Sequence, residues 1–440
     1  MVRKTDAHTD DVRAAGRSPH AAGKFVFYSA LVGAVSGLFQ LGEVIACKSL
    51  DASAFGVTLL TMMGPIANFT SLWWGRILAG RDQSKILAYA ALGCGLVLAS
   101  GFVVSSMPHL TALFLLYYVF MSLTYTTENR ALQQHIAPAR IGRLFGVATA
   151  VRMGLGALIA TAAGLYMDSH PFGYRHLLGG SALVCAFGML QLAAIRTARD
   201  ASTPRSHIGL ALLIEPLLNV MPLLRARKDF FRFEVAFMIY GAAYMMAMPV
   251  LPVFLVDTLQ LDYTTIGLAR GGIYFALLAL AIPTFGRIYD RSTPHRMATG
   301  LFLLLAFFPL ALLAAVWTEA TWRLVFLYTG FGIFGIAMGG ITVLWSLSSI
   351  RFAAHEDVSL FHSVHVAATG VRGLFAPLLG FALMKATSPQ TALIVIAAVW
   401  LISSVAVVAL RARDIRTGDF RSLRALPEER RARPDLEAHM

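Results

Sequence analysis

The sequence predicts an all-α polytopic membrane protein, twelve transmembrane helices in two pseudo-symmetric six-helix bundles, on three observations. The first is composition: 57% of the 440 residues are hydrophobic and 14% are charged, against about 25% charged in soluble domains. Mean hydropathy is +0.66, which excludes a soluble enzyme. The second is run length. Apolar stretches repeatedly reach the roughly 20 residues that cross a hydrocarbon core as a helix. Aromatic and β-branched residues sit inside these unbroken runs, not in the alternating segments of about 10 residues that build a membrane barrel. The third is that two segments of the first half recur in the second.

Residues 1–23 form a polar tail predicted to be disordered, with no cleavable signal segment: the run that follows is too long for a signal-peptide core and lacks a small-x-small site. The first bundle, 24–196, holds spans 25–47, 56–79, 85–106, 111–136, 143–167 and 176–196. A polar, basic stretch, 197–229, separates it from the second bundle, 230–411, with spans 230–256, 266–289, 296–317, 323–350, 359–384 and 390–411. Within the separating stretch, IGLALLIEPLLNVMPLL is apolar enough to lie on the membrane surface beside RARK, although Pro216 and Pro222 interrupt a continuous helix; a flexible linker is the other reading. The tail 412–440 is charged, poor in large apolar residues and predicted to be disordered.

Net charge is +13, and its distribution explains it. Of the 37 basic residues, 29 fall on the side of both termini and the 197–229 stretch, four (Lys48, Arg175, Arg323, Lys385) fall on the other side, and four (Arg130, Arg152, Arg270, Arg372) lie inside spans. Cytoplasmic loops retain Lys and Arg, so both termini are expected in the cytoplasm of a cell whose plasma (bacterial inner) membrane holds the chain. The surplus records topology; no nucleic-acid partner is implied. Cys47, Cys94 and Cys185 have no CxxC spacing and read as packing residues.

The repeats are specific. WWGRILAGRDQSK after span 2 matches TFGRIYDRSTPHR after span 8, and span 5 aligns without gaps on span 11, pairing Leu144 with Leu360, Phe145 with Phe361, Gly154 with Gly370 and Gly164 with Gly380. At these residues the chain resembles the major facilitator superfamily, whose Gly-x-x-x-Asp-Arg signature follows spans 2 and 8. Gly286, Asp290 and Arg291 complete the second copy; the first departs, with Ala79 and Gly80 in place of the Asp and Arg. The resemblance implies two rocking bundles and a gating role for Gly286, Asp290 and Arg291, with Asp290 facing the start of span 5 near Gly142 and Arg143. It also implies that spans 1, 4, 7 and 10 line a central cavity, to which Tyr244 and Trp345 would contribute, although aromatic residues at helical spacing also serve packing.

Ionisable groups inside spans are costly and so are candidates for function. Arg152 and Arg372, near the midplane of spans 5 and 11, are positioned to clamp an anion such as a carboxylate or phosphate. His362, His365, Thr369 and Arg372 share one face of span 11 and are expected to line the pathway; the alternative is a packing contact. The two histidines lack a third ligand, so no metal is expected. Span 1 carries a polar stripe ending in Gln40, a substrate contact, and Glu43, near the outer end. Arg270, four residues into span 8, lies at a similar depth, and the two are expected to pair as an external gate. Glu128 of span 4 sits level with Arg152; it either neutralises that arginine structurally or, like His362 and His365, carries the coupling proton.

These readings converge on a secondary active transporter that moves a small anionic or zwitterionic organic solute by alternating access, coupled to protons or a counter-substrate. An efflux transporter for hydrophobic or cationic compounds is an alternative, and a non-transporting sensor or scaffold is another. No enzyme activity and no cofactor is expected, and no GxxxxGK[ST] loop is present for ATP. The partners implied are the solute, the bilayer and H+ as the possible coupling ion, with a monomer as the unit.

Overall fold

The computed structural model describes residues 19–78, 81–136, 138–195, 220–353 and 358–417, and among these every regular element is helical. Eleven helices are long and apolar enough to cross a membrane: α1 (His20–Ser49), α3 (Gln83–Val103), α4 (Met107–Glu128), α5 (Leu144–Ser169), α6 (Gly173–Ala193), α7 (Lys228–Thr258), α8 (Tyr263–Tyr289), α9 (Pro294–Trp317), α10 (Thr321–Ala353), α11 (Val364–Ala386) and α12 (Pro389–Arg413). The remaining span, α2 (Ala54–Phe69), is shorter and continues past Thr70 as Ser71–Leu78. Twelve crossings return the chain to the side on which it starts, here called the terminal side; the other is the outer side.

Helix starts follow local chemistry. Ser53, Asp82, Asp262 and Thr293 each accept a backbone N–H of the first turn they precede, which offsets the unpaired amides of a helix N-terminus. Helix ends differ from the sequence expectation. The first helical segment of α1 begins at Pro19, and the last helix runs on to Thr417, so 19–23 and 412–417 are helical and not tail. Proline is tolerated in a first turn, and RARDIRT contains no breaker before Gly418. The helix containing α5 likewise starts at Pro138. Of the expected interfacial segment, only residues 220–224 lie in the described residues, within a short helix, Val220–Ala226, that has Pro222 in its first turn.

The loops leaving α1 and α7 each hold a residue in the left-handed region, Asp51 (φ 46°) and Gln260 (φ 53°), a correspondence between the halves at backbone level. α1 packs tightly on α5: a methyl group at Gly33 or Gly37 would overlap the carbonyl oxygens of Arg152 and Gly156. α11 packs on α7 in the same manner, Gly380 against the backbone of Met246. Cys94 and Cys185 meet between α3 and α6 as free thiols, Sγ to Sγ 3.6 Å, a contact that sequence spacing did not show.

Between the halves, small residues again set the approach. A Cβ at Gly164 of α5 would lie 2.6 Å from the carbonyl oxygen of Tyr263, and one at Gly267 of α8 would lie 2.7 Å from that of Ala160. Phe69 and Pro65 of α2 fill the space over Gly370 and Gly373 of α11. These crossings bring the polar side chains of both halves within reach of one another.

Candidate functional site

Three polar clusters lie within the helical core. In the first half, Arg152 Nη2 donates to both carboxylate oxygens of Glu128, at 3.0 and 3.1 Å. Tyr28, fully buried on α1, donates its hydroxyl to Glu128 Oε2 at 3.0 Å, and Ser29 Oγ lies 3.4 Å from Arg152 Nη2. The guanidinium also rests over the rings of Tyr28 and Tyr125, 5.6 and 5.7 Å from their centroids. With Glu128 5% and Arg152 16% exposed, this is a desolvated pair in which each charge depends on the other.

The second half arranges its charges differently. Arg372 is buried and leans onto α7, where Nη1 donates to the carbonyl oxygen of Phe237 at 2.9 Å and Nη2 to Thr369 Oγ1 at 3.3 Å. Gly241 makes this possible: a Cβ there would occupy the position of the guanidinium. Trp345 Nε1 of α10 donates to the same Thr369 oxygen at 3.5 Å, so three of the candidate substrate contacts form one chain. No carboxylate lies within ion-pair distance of Arg372 among the described residues. Glu234 of α7, an acid that acts electrostatically on Arg372, instead meets His365 Nδ1 at 2.7 Å through Oε1, both groups being buried.

The polar stripe of α11 is thus turned toward α7 at His365 and Arg372. The side chain of His362 lies outside the described residues. Gln40 sits at a break in α1, between the segments Pro19–Phe39 and Gly42–Ser49, and Tyr244 stacks near Phe334, 6.2 Å between centroids. No contact joins Arg152 to Arg372 in this conformation: each belongs to the network of its own half. Among the described residues no cluster of three metal-ligating side chains occurs.

The third cluster joins the halves at the outer side. Arg270 Nη2 and Glu43 Oε2 lie 3.3 Å apart, with Arg270 in a π-helical segment, Gly267–Ile273, a geometry that re-aims side chains within a helix. Lys48 Nζ donates to the carbonyl of Leu261 at 2.7 Å, and Ser49 and Tyr263 hydroxyls are 2.8 Å apart. Asp168, at the end of α5, accepts the backbone N–H groups of Tyr263 and Thr264 at 2.9 and 2.7 Å and the Thr264 hydroxyl at 2.6 Å. A carboxylate from one half therefore caps α8 of the other, at a helix N-terminus, where backbone amides lack intrahelical partners and the dipole is positive.

Sequence reading missed Glu234, Tyr28 and Asp168. Glu234 had a signal, an acid between aromatic residues in FFRFEVAF, but it stands near the polar edge of its span. Asp168 had none, because its role depends on a partner 95 residues away.

The Asp168 contact yields a testable outcome. Asp168→Asn removes the charge facing the α8 N-terminus and is expected to weaken outer closure by about 1 kcal/mol. Native Cys47, half-buried near Glu43 and Arg270, should then be alkylated severalfold faster from the outer side; an unchanged rate would show that the contact is dispensable.

The fold is shared with solved transporters. A mutant of the nucleoside transporter NupG superimposes with a TM-score of 0.67 at 14% identity, covering 89% of this chain and 99% of that one. A bacterial homologue of the human drug peptide transporters PepT1 and PepT2 gives 0.66 at 11% identity, covering 94% and 99%. The inward open xylose transporter XylE from E. coli gives 0.59 at 12%, covering 89% and 94%. No curated protein sequence matched the chain. The Major Facilitator Superfamily model matches residues 233–434. The second half of the chain thus carries the sequence pattern of that superfamily. Its superfamily signature lies inside the matched stretch, with Gly286 half-buried in α8 and Arg291 exposed where the helix ends. The Asp290 side chain, Ala79, Gly80 and the side chains of Gly142 and Arg143 lie outside the described residues, and with them the expected contact of Asp290.

Proposed function

We propose that this protein is a proton-coupled secondary transporter for a small organic anion or zwitterion. The observation that carries the reading is Arg372: a buried guanidinium whose donors meet a carbonyl and a hydroxyl but no carboxylate. A buried cation without an adjacent counter-ion is costly, and an anionic solute reaching it from the space between the bundles would relieve that cost. Arg152 is the second positive group in this reading, and Gln40, Tyr244, Thr369 and Trp345 complete the site.

His365 and Glu234 supply the coupling. When His365 is neutral, Glu234 offsets the charge of Arg372 at a distance; when the pair takes up a proton, the charge of Arg372 is left uncompensated and an anion restores the balance. Proton and anion then favour one another's binding, and the linkage is reciprocal. The efflux alternative for cations finds less support, because Glu43, Glu128 and Glu234 are each engaged by a basic partner. With the terminal side taken as cytoplasmic, the contacts of Asp168, Lys48 and the Glu43–Arg270 gate close the extracellular side, so the conformation is the outward-closed one, and separation of these groups accompanies the return.

The coupling is tested in proteoliposomes carrying a pH-sensitive dye. Addition of a transported organic anion is expected to draw protons with it in the wild type. Glu234→Gln and His365→Gln should retain anion exchange at equal concentrations while losing proton-driven accumulation. Unaltered accumulation in both variants would remove the pair from the mechanism.

A further inference from the structure

Away from the central site, the terminal-side ends of α9 and α12 enclose a crevice of about 360 Å³ lined by Arg296, Thr299, Val408, Arg411 and Ala412. The two helices are joined by Ser404 Oγ, which donates to the carbonyl of Thr299, a lining residue, at 2.9 Å. Two guanidinium groups border the space and no acid does. Arg296 is exposed; the Nε of Arg411 is buried and makes no hydrogen bond. Asp229, the acid that acts electrostatically on neighbouring His295, is itself held by Arg227 at 3.0 Å. The crevice is therefore a local excess of positive charge in which a buried donor, Arg411 Nε, makes no hydrogen bond.

What lies beside it identifies the ligand class. On α9, Leu303, Phe307 and Leu310 are exposed at positions seven, eleven and fourteen residues after Arg296, hence on the face below it. On α12, Leu401, Val405 and Val408 are exposed on the face that leads up to Arg411 and Ala412. Two apolar stripes thus run from the crevice into the membrane-spanning depth, on either side of the α9–α12 seam. A free ion would use the arginines alone; a molecule with an anionic head and apolar chains would use all of these features.

We propose that this crevice binds an anionic phospholipid, its phosphate held between Arg296 and Arg411 and its acyl chains along the exposed stripes of α9 and α12. Arginine presents paired N–H donors that suit phosphate oxygens, and basic clefts between spanning helices are suited to lipid headgroups. Residues of the central transport site take no part.

Native mass spectrometry of delipidated, purified protein tests this with three probes: dioleoyl phosphatidylglycerol, dioleoyl phosphatidylcholine and inorganic phosphate. The wild type should retain phosphatidylglycerol in preference to phosphatidylcholine. Arg296→Gln/Arg411→Gln should weaken that binding about 30-fold, taking roughly 1 kcal/mol for each basic group near the surface. Thr299→Asp, which places a carboxylate in the crevice, should weaken it independently and decides the matter if the double variant does not fold. A control, Arg225→Gln/Lys228→Gln, removes equal charge from exposed positions on the same side and should bind as the wild type does. Wild-type retention by the site variants, or equal loss in the control, would overturn the proposal. So would inorganic phosphate bound as well as the lipid and displacing it, because the crevice would then be a free-phosphate site.

Discussion

Arg372→Ala is expected to lower affinity for the transported anion by at least about 30-fold and to abolish measurable uptake in proteoliposomes, because losing one partner of a buried, hydrogen-bonded charge pair costs about 2 kcal/mol or more. The effect should come without loss of fold, since the substitution removes a desolvated charge that no carboxylate of the described protein balances at close range. Gly241→Ala gives the companion result. It leaves Arg372 in the sequence but puts a methyl group where the guanidinium lies, so anion affinity should fall toward that of Arg372→Ala. Equal uptake by wild type and Gly241→Ala would show that the placement of the guanidinium against α7 does not matter. Arg372→Lys separates charge from geometry: an ammonium keeps the charge but loses the planar set of donors.

The second large effect is on stability. Arg152→Met leaves Glu128 buried without its partner and is expected to cost about 3–5 kcal/mol, whereas Arg152→Met combined with Glu128→Gln should recover much of that loss. The Tyr28 hydroxyl would still serve the amide oxygen in the double variant. Thermal unfolding in detergent, followed for the single and double variants, measures the coupling. Additive losses would mean that the 3.0 Å pair contributes nothing to the folded first half.

Much of this architecture was legible before any coordinates. Span number follows from run length, because a bilayer demands that every backbone polar group be satisfied within the segment. Counting at about 1.5 Å per residue set Glu43 level with Arg270 and Glu128 level with Arg152, and both pairs are within 3.3 Å. What sequence could not show was direction around the helix axis relative to a neighbour. Periodicity leaves the stripe of α11 open to lining a pathway or to packing; His365 and Arg372 are in contact with α7, because Gly241 leaves room for the guanidinium and Glu234 offers an acceptor. Neither feature belongs to α11, so no periodicity within it could reveal them. Helix ends were similarly elusive. Pro138 and Thr417 lie beyond the apolar runs, where helix continuation is decided by the absence of breakers and not by hydropathy. Asp168 left no trace in the sequence and Glu234 only its setting among aromatic residues, because each acquires its role from the opposite partner of a packed pair.

The central claim is that an anion completes the site at Arg372 and that protonation of the His365–Glu234 pair strengthens it. Its most direct measurement is ligand-induced thermal stabilisation of the purified protein, screened over organic anions and lipophilic cations at about pH 6 and about pH 8, either side of the ordinary histidine range. The account predicts that one or more organic anions or zwitterions raise the unfolding temperature, more at the lower pH, and that Arg372→Ala abolishes the rise. Stabilisation by cations and not by anions, or normal anion stabilisation of Arg372→Ala, would contradict it.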